Sequence, residues 1–223
     1  MEFDQFAEKY KQLLDQSISI SGEESEYFAD YKARYLTRLL SRTYSGKVLD
    51  FGCGVGLLSG FLKRHMPMIQ LDGFDPSGDS ISRANPALTS RGLFTSDFDR
   101  LDRLYDLIVI ANVMHHILPE QRLSTVQRLA ARLHSWGKLV IFEHNPANPV
   151  TRWVVNHCPF DEDAVLLSAD EVDSYLQQAG LHLSRRDYIV FLPRLLAWLR
   201  PLEPSLRWLP LGAQYVVVGE KHK

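Results

Sequence analysis

Apolar positions along the chain change period several times, and the changes mark out its elements. Over 1–20, Phe3, Phe6, Tyr10, Leu13 and Leu14 recur at helical spacing, which predicts an amphipathic helix. After Ser21-Gly22 a second helix is expected from about 23 to 42, with Tyr27, Phe28, Tyr31 and Tyr35 on neighbouring turns. From Gly46 short apolar runs alternate with helical stretches. Strands are expected over 47–51, 69–74, 92–95, 106–111 and 138–142, and helices over 57–65, 77–83 and 120–134. Repeated strand–helix units of this length predict an α/β fold, a parallel sheet with helices on both faces. The rest of the chain is less regular. Residues 144–168 carry prolines at 146, 149 and 159 and are expected to form a loop that two Asn-Pro steps hold extended. A helix over 169–179 stops at Gly180, and a strand follows over 182–191. A Leu-, Arg- and Trp-rich connection over 192–211 then leads to a last strand over 213–218. Two closing strands with so long a connection predict an antiparallel hairpin at one edge of the sheet.

The run Val48-Leu49-Asp50-Phe51-Gly52-Cys53-Gly54-Val55-Gly56 joins the first of these strands to the helix after it. A strand that ends in glycines and turns into a helix is expected to set free backbone N–H groups and a positive helix end at the carboxyl edge of a sheet. Dinucleotide loops read Gly-x-Gly-x-x-Gly, whereas this loop reads Asp-x-Gly-x-Gly-x-Gly. The pyrophosphate of a nicotinamide cofactor would be repelled by Asp50; a protonated amine would be attracted to it. S-adenosylmethionine, with an ammonium, a sulfonium and no phosphate, carries the matching charge.

The stretch resembles motif I of the class I S-adenosylmethionine-dependent methyltransferases, and Gly73-Phe74-Asp75-Pro76-Ser77 resembles their motif II. The resemblance covers roughly 45–145. It implies a Rossmann-like sheet of seven mostly parallel strands with one antiparallel strand, helices on both faces and an N-terminal helical cap. It also implies that Asp50, Gly52, Cys53, Gly54 and Gly56 hold the methionine end of the cofactor, Asp75 with Pro76 the ribose, and Asp97-Phe98 the adenine, with Asp99 as the rival acid. Asp75 stands at the tip of its strand, where a carboxylate can accept bonds from both ribose hydroxyls. A plain tight turn at the glycines, a helix-capping Asp75 and a solvent-facing Asp97 are the blander alternatives.

The acceptor side is less determined. The fourth strand runs into Asn112-Val113-Met114-His115-His116, a segment expected beside the sulfonium methyl with Asn112 among the cofactor contacts. This is not the Asn-Pro-Pro-Tyr segment of enzymes that methylate adenine, cytosine or a glutamine amide. It resembles the small-molecule branch of the family, in which a histidine often ends this segment. A hydroxyl is a poor nucleophile, and imidazole suits its deprotonation near neutral pH. His116 matches the family position better than His115, and His144 is the third candidate base. The segment Glu143-His144-Asn145-Pro146 and its continuation resemble a bacterial small-molecule subgroup. They supply Asn145, Asn148 and Arg152 as groups able to bond hydroxyls or anions. Tyr27, Tyr31 and Lys32 form either core or a lid turned to the site. His144, His157, Cys158 and Asp161 are permissible metal ligands, but their spacing matches no recurrent motif and sulfonium chemistry needs none, so no metal is expected. The connection over 192–211 is a lid or core packing, a dimer face, or a peripheral membrane contact.

Composition narrows the partners. The chain has 223 residues, enough for one domain, and a formal net charge of −2, which offers no basic face for nucleic acid. The expected division is a single domain over 1–223, with a helical cap at 1–44, a cofactor-binding core at 45–145 and acceptor-side insertions at 144–168 and 192–211. Its two cysteines, one inside the glycine loop, and an acidic start unlike a signal peptide point to the cytoplasm. No apolar run reaches membrane-spanning length. The expected enzyme, a monomer or homodimer, moves a methyl group to oxygen, or less readily nitrogen, of a small molecule, leaving S-adenosylhomocysteine. A nicotinamide oxidoreductase and a non-catalytic binding module are the rivals.

Overall fold

The computed structural model describes residues 22–158 and 163–222. The helix expected over 1–20, and Pro159, Phe160 and Asp161, lie outside the described residues.

Helix α1 (Ser25–Leu40) leads into β1 (Lys47–Phe51), α2 (Leu57–His65), β2 (Gln70–Phe74), the short helices α3 (Gly78–Ser82) and α4 (Pro86–Thr89), and β3 (Phe94–Thr95). Next come β4 (Tyr105–Ala111), α5 (Pro119–Ala131), β5 (Leu133–His144), α6 (Pro149–Asn156), α7 (Ala169–Gln178), β6 (His182–Ile189) and β7 (Gln214–Glu220). The sheet order is β3-β2-β1-β4-β5-β7-β6. β7 lies antiparallel between β5 and β6, so β6, not β7, forms the edge.

Strand alternation divides the core in two. Val48, Leu107, Val109, Val140, Phe142, Val216 and Val218 meet Ala33, Tyr35 and Leu36 of α1 and Leu58 and Leu62 of α2. The intervening residues Leu49, Ile108, Ile110, Ile141 and Val217 meet α5 and α7 through Val126, Leu129, Val172 and Leu176. A period of two on strands buried on both faces gives nearly continuous apolar runs, as in β4 and in β5 from Leu139 to Phe142. The helical cap expected over 1–44 is, in its described part, a helix of this layer: α1 buries Ala33 and Leu36 completely.

Three further expectations change. Helix α5 ends at Ala131 rather than 134, and Leu133 already pairs with Tyr105 as β5. The register then slips before Leu107 pairs with Lys138, and Trp136 takes φ 66 in the slip. Burial of Leu133 and the exchange of bonds between Trp136, Gly137 and Lys221 outweigh the helical pattern there. Strand β3 is reduced to two residues, because the Asp72 carboxylate takes the Leu93 N–H at 2.8 Å. The expected extended loop after His144 contains α6. Asn148 caps that helix by accepting from Val150 and Thr151 N–H, and Pro149 occupies its first turn, where no amide donor is needed.

Candidate active site

The carboxyl ends of β1, β2, β4 and β5 bring together the glycine loop, Asp75, Asn112–His116 and His144. Gly52 (φ 76), Gly54 (φ 52) and Gly56 (φ 83) all lie in the left-handed region. A Cβ on Gly52 would stand 2.3 Å from Val113, whereas one on Gly54 would meet open space. The loop therefore packs against the β4 segment at one glycine and offers bare backbone at the next.

Four of the N–H groups expected to be free are taken within the fold. Gly52 and Cys53 N–H both donate to the Phe74 carbonyl, at 2.7 and 2.9 Å. Gly54 N–H donates to Asp75 Oδ2 at 2.8 Å, and Gly56 N–H to the Cys53 carbonyl at 2.9 Å. A pyrophosphate would find these four donors spent. Cys53 adds no reactive thiol: it is buried, and burial pushes its thiol up.

Asp50 lies beneath the loop. It accepts from the Ser59 hydroxyl at 2.7 Å and ties β1 to α2. Burial pushes its carboxyl up to about 6, against the pull of the Ser59 bonds. A desolvated carboxyl of this kind favours a neighbouring cation. Asp75 accepts from Gly54 and Ser77 N–H, so its carboxylate is held between the first and second loops. Pro76 is exposed beside it, and Asp97 is exposed too, accepting from Asp99 N–H. Phe98 stands edge-on to Phe51 and Phe74 at 6.0 and 5.4 Å between ring centres, with the Arg128 guanidinium 4.4 Å over its ring. These three phenylalanines, His116, Ile117, Leu118 and Arg128 line a cavity of about 270 Å³.

The histidines separate. His115 is buried, with Nδ1 2.6 Å from Oε2 of Glu143. Glu143 is fully buried as well, and its Oε1 accepts from Val113 and Met114 N–H at 2.9 and 2.7 Å. Burial alone would raise its carboxyl, but the His115 charge and bond hold it at about 2. An ionised carboxylate only accepts, so His115 Nδ1 carries the proton of this bond. The chain beyond α6 shuts His115 in: Val165 N–H donates to its carbonyl, while the buried Arg122 holds the Ile117 and Val165 carbonyls. His116 is half-buried and faces the Phe98 cavity. His144 is also half-buried, its ring 5.1 Å from that of His115, with Nε2 3.0 Å from Nδ2 of Asn112. Asn112 takes φ 58, and its buried Oδ1 has no hydrogen-bond partner among the described residues.

The residues expected to hold the acceptor are mostly engaged elsewhere. Asn145 is buried and donates to the Pro210 and Gly212 carbonyls; Asn148 caps α6 and donates to Leu211. These bonds fasten the turn before β7 to the end of β5. Arg152 is exposed on α6. Tyr27 lies under the Arg200 guanidinium at 4.4 Å, and Tyr31 donates to Glu203 at 3.4 Å, so both join α1 to the 194–206 segment. His157 stacks on Trp153 and bonds its carbonyl. Among the described residues, no group of three or more His, Cys, Asp or Glu could hold a metal ion.

Glu143 was not singled out from the sequence. The available signal was an acid closing the apolar run of β5, where burial demands a partner. Lys32 stands one residue from Tyr31 on α1. It is buried, and burial lowers its ammonium to about 8 despite Glu143 nearby.

A family model described as a methyltransferase domain matches residues 24–185. The chain belongs to that family. It is 29% identical over 147 residues to an uncharacterized methyltransferase of Staphylococcus carnosus, which covers 64% of this chain and 68% of that protein. It is 32% identical over 132 residues to the ribosomal RNA small subunit methyltransferase C of Salmonella paratyphi B. There the match covers 55% of this chain and 38% of that protein, so the chain spans well under half of this relative's length. In fold it is similar to a SAM dependent methyltransferase from Archaeoglobus fulgidus, with a TM-score of 0.69 and 15% identity, over 89% of this chain and 95% of that one. The protein is thus an S-adenosylmethionine-dependent methyltransferase with a Rossmann-like sheet, not a nicotinamide oxidoreductase. The spent donors of the loop and the buried Asp50 fit a cationic, phosphate-free cofactor. No helix among the described residues is long and apolar enough to cross a membrane.

Proposed function

We propose that this methyltransferase methylates a hydroxyl oxygen, and less readily an amine nitrogen, of a small-molecule acceptor. The observation that carries the reading is the buried Glu143–His115 pair with His144 beside it at the end of β5. S-adenosylmethionine, when bound, would supply an electrophilic methyl carbon; the acceptor oxygen would bond to that carbon as the carbon–sulfur bond breaks and S-adenosylhomocysteine leaves. The chain's own task is alignment in a water-poor pocket and removal of the hydroxyl proton. Asp50 and the Gly54 backbone take the methionine end, Asp75 the ribose, and Asp97 and Phe98 the adenine. His144 receives the acceptor proton at Nδ1, with the Asn112 amide turned so that its oxygen accepts from His144 Nε2–H and orients the ring. Glu143 and His115 act through them as positioning residues, since neither reaches the surface. His116 shares its cavity with Phe98, which puts it toward the adenine end and behind His144 as a base.

An RNA acceptor, the one in the Salmonella relative's name, fits less well: a net charge of −2 gives the chain as a whole no attraction to a polyanion. The methyltransferase is taken as one cytoplasmic domain, with its cofactor core over 45–145. Turnover against a panel of phenols, hydroxy acids, sugar nucleotides and amines tests the acceptor class. His144→Ala is expected to lower kcat about a hundredfold while S-adenosylhomocysteine affinity is kept. Full activity in that variant, with loss in His116→Ala, would transfer the role of base to His116.

A further inference from the structure

The connection between β6 and β7 turns its polar side in and its apolar side out. Glu203, the one acid in 192–211, is 4% exposed and accepts from Phe191 and Leu192 N–H at 3.0 and 2.9 Å. Arg200 lies over Tyr27 and pairs with Glu23 at 2.7 Å, and Arg207 lies over the Tyr35 ring. Outward stand Leu195 at 87% exposure, Trp198 at 75%, Leu202 at 57%, Trp208 at 76% and Leu211 at 55%. A lid or a core insertion would do the opposite and bury these side chains. Monomeric proteins rarely leave so many large apolar residues on one short segment without an occupant.

We propose that the outward face of 193–211 docks on a membrane surface that bears anionic lipid. Charge selects this occupant. The only charged side chain exposed within 193–211 is Arg194, and the segment shows no exposed acid. Helix α6, tied to Leu211 through Asn148, adds exposed Val150, Arg152 and Trp153 and carries no acid either. Leucine and tryptophan with arginine alone is the composition that enters the headgroup boundary and attracts anionic lipid. A second copy using the same patch in a two-fold contact would set these arginines against themselves, and neither 193–211 nor α6 offers an exposed carboxylate to answer them. The segment is stiff as well. Prolines 193, 201, 204 and 210 and the 3₁₀ turns over Arg194–Leu206 leave little to order on docking. Its last residues precede Gln214, which pairs with His144, so a docked membrane would face the acceptor edge. Only this last point, an acceptor reached from the bilayer, rests on the function proposed above.

Co-sedimentation of the full chain tests the docking without any turnover. The probes are mixed vesicles of phosphatidylcholine and phosphatidylglycerol, compared with phosphatidylcholine alone. Binding to the mixed vesicles is expected to be about tenfold tighter, and to weaken about as much in Arg194→Glu and in the double variant Leu195→Ser, Trp198→Ser. Both variants are expected to bind S-adenosylhomocysteine normally, which shows that they fold. Absence of wild-type binding to the mixed vesicles, or undiminished binding by the double variant, overturns the proposal. So does a wild-type dimer, seen by light scattering, that the double variant dissolves. None of these results touches the methyl-transfer reading, which the acceptor panel tests separately.

Discussion

The two halves of the site are built differently. On the cofactor side, Asp50, the three glycines and Asp75 sit in two short strand-to-helix turns, and most bonds stay within or between them: Ser59 to Asp50, Gly54 and Ser77 to Asp75. On the acceptor side, the bonds join distant segments. Glu143 holds Val113, Met114 and His115; Asn145 and Asn148 hold residues 210–212; Tyr31 reaches Glu203. A backbone turn with a glycine code can be read from a few consecutive residues. A wall made of side chains from four segments cannot, because each partner is meaningful only once the sheet has brought the others to it.

The comparison breaks most sharply at Glu143. Glu143→Ala leaves two buried N–H groups and His115 without their acceptor, and is expected to cost about 3–5 kcal/mol of stability in urea unfolding. A cost below about 1 kcal/mol would mean that the acceptor wall does not depend on this carboxylate. On the cofactor side, Gly52→Ala meets Val113 at a positive φ, and is expected to cost about 1–3 kcal/mol and to weaken S-adenosylhomocysteine binding measured by calorimetry. Stability loss with unchanged affinity would separate the packing of the loop from its binding.

A pH series sharpens the same contrast. The folded-state pKa of Asp50 lies above its unfolded value, so the stability linked to its proton is present below about pH 4 and lost as pH rises through about 6. Binding of a cationic amine needs the ionised form. Affinity for S-adenosylhomocysteine is therefore expected to fall as pH drops below about 6, approaching tenfold per pH unit, and Asp50→Asn is expected to flatten that profile. An unchanged profile in Asp50→Asn would remove Asp50 from the contact. The smallest effect is expected from Asn148→Ala, which deletes a helix cap and the bond to Leu211, at about 1 kcal/mol in thermal unfolding with cofactor affinity unchanged.

The glycine spacing, the acid before it and the alternating strands were enough to name the sheet, its antiparallel ending and the cofactor. These features depend on local chemistry: glycine where φ is positive, apolar runs where both faces are buried, an acid where no phosphate comes. The readings that changed were of another kind. The 144–168 stretch was expected to be an extended acceptor-side loop, yet Asn145 and Asn148 spend their amides on the backbone of 210–212. His116 ranked ahead of His115 and His144 by position, yet the fold seals His115 against Glu143 and turns His116 toward Phe98. The Gly52, Cys53 and Gly54 N–H groups, expected to be free, are taken by Phe74 and Asp75.

By itself, then, the sequence determined an Asp-and-glycine turn between β1 and α2, and with it a cofactor that carries positive charge. Only the tertiary structure decided which histidine is locked, which asparagines are structural and which face of 192–211 meets solvent. A hydrogen-bonding side chain has no fixed partner in the chain order; it takes the donor or acceptor that folding leaves beside it once water is gone.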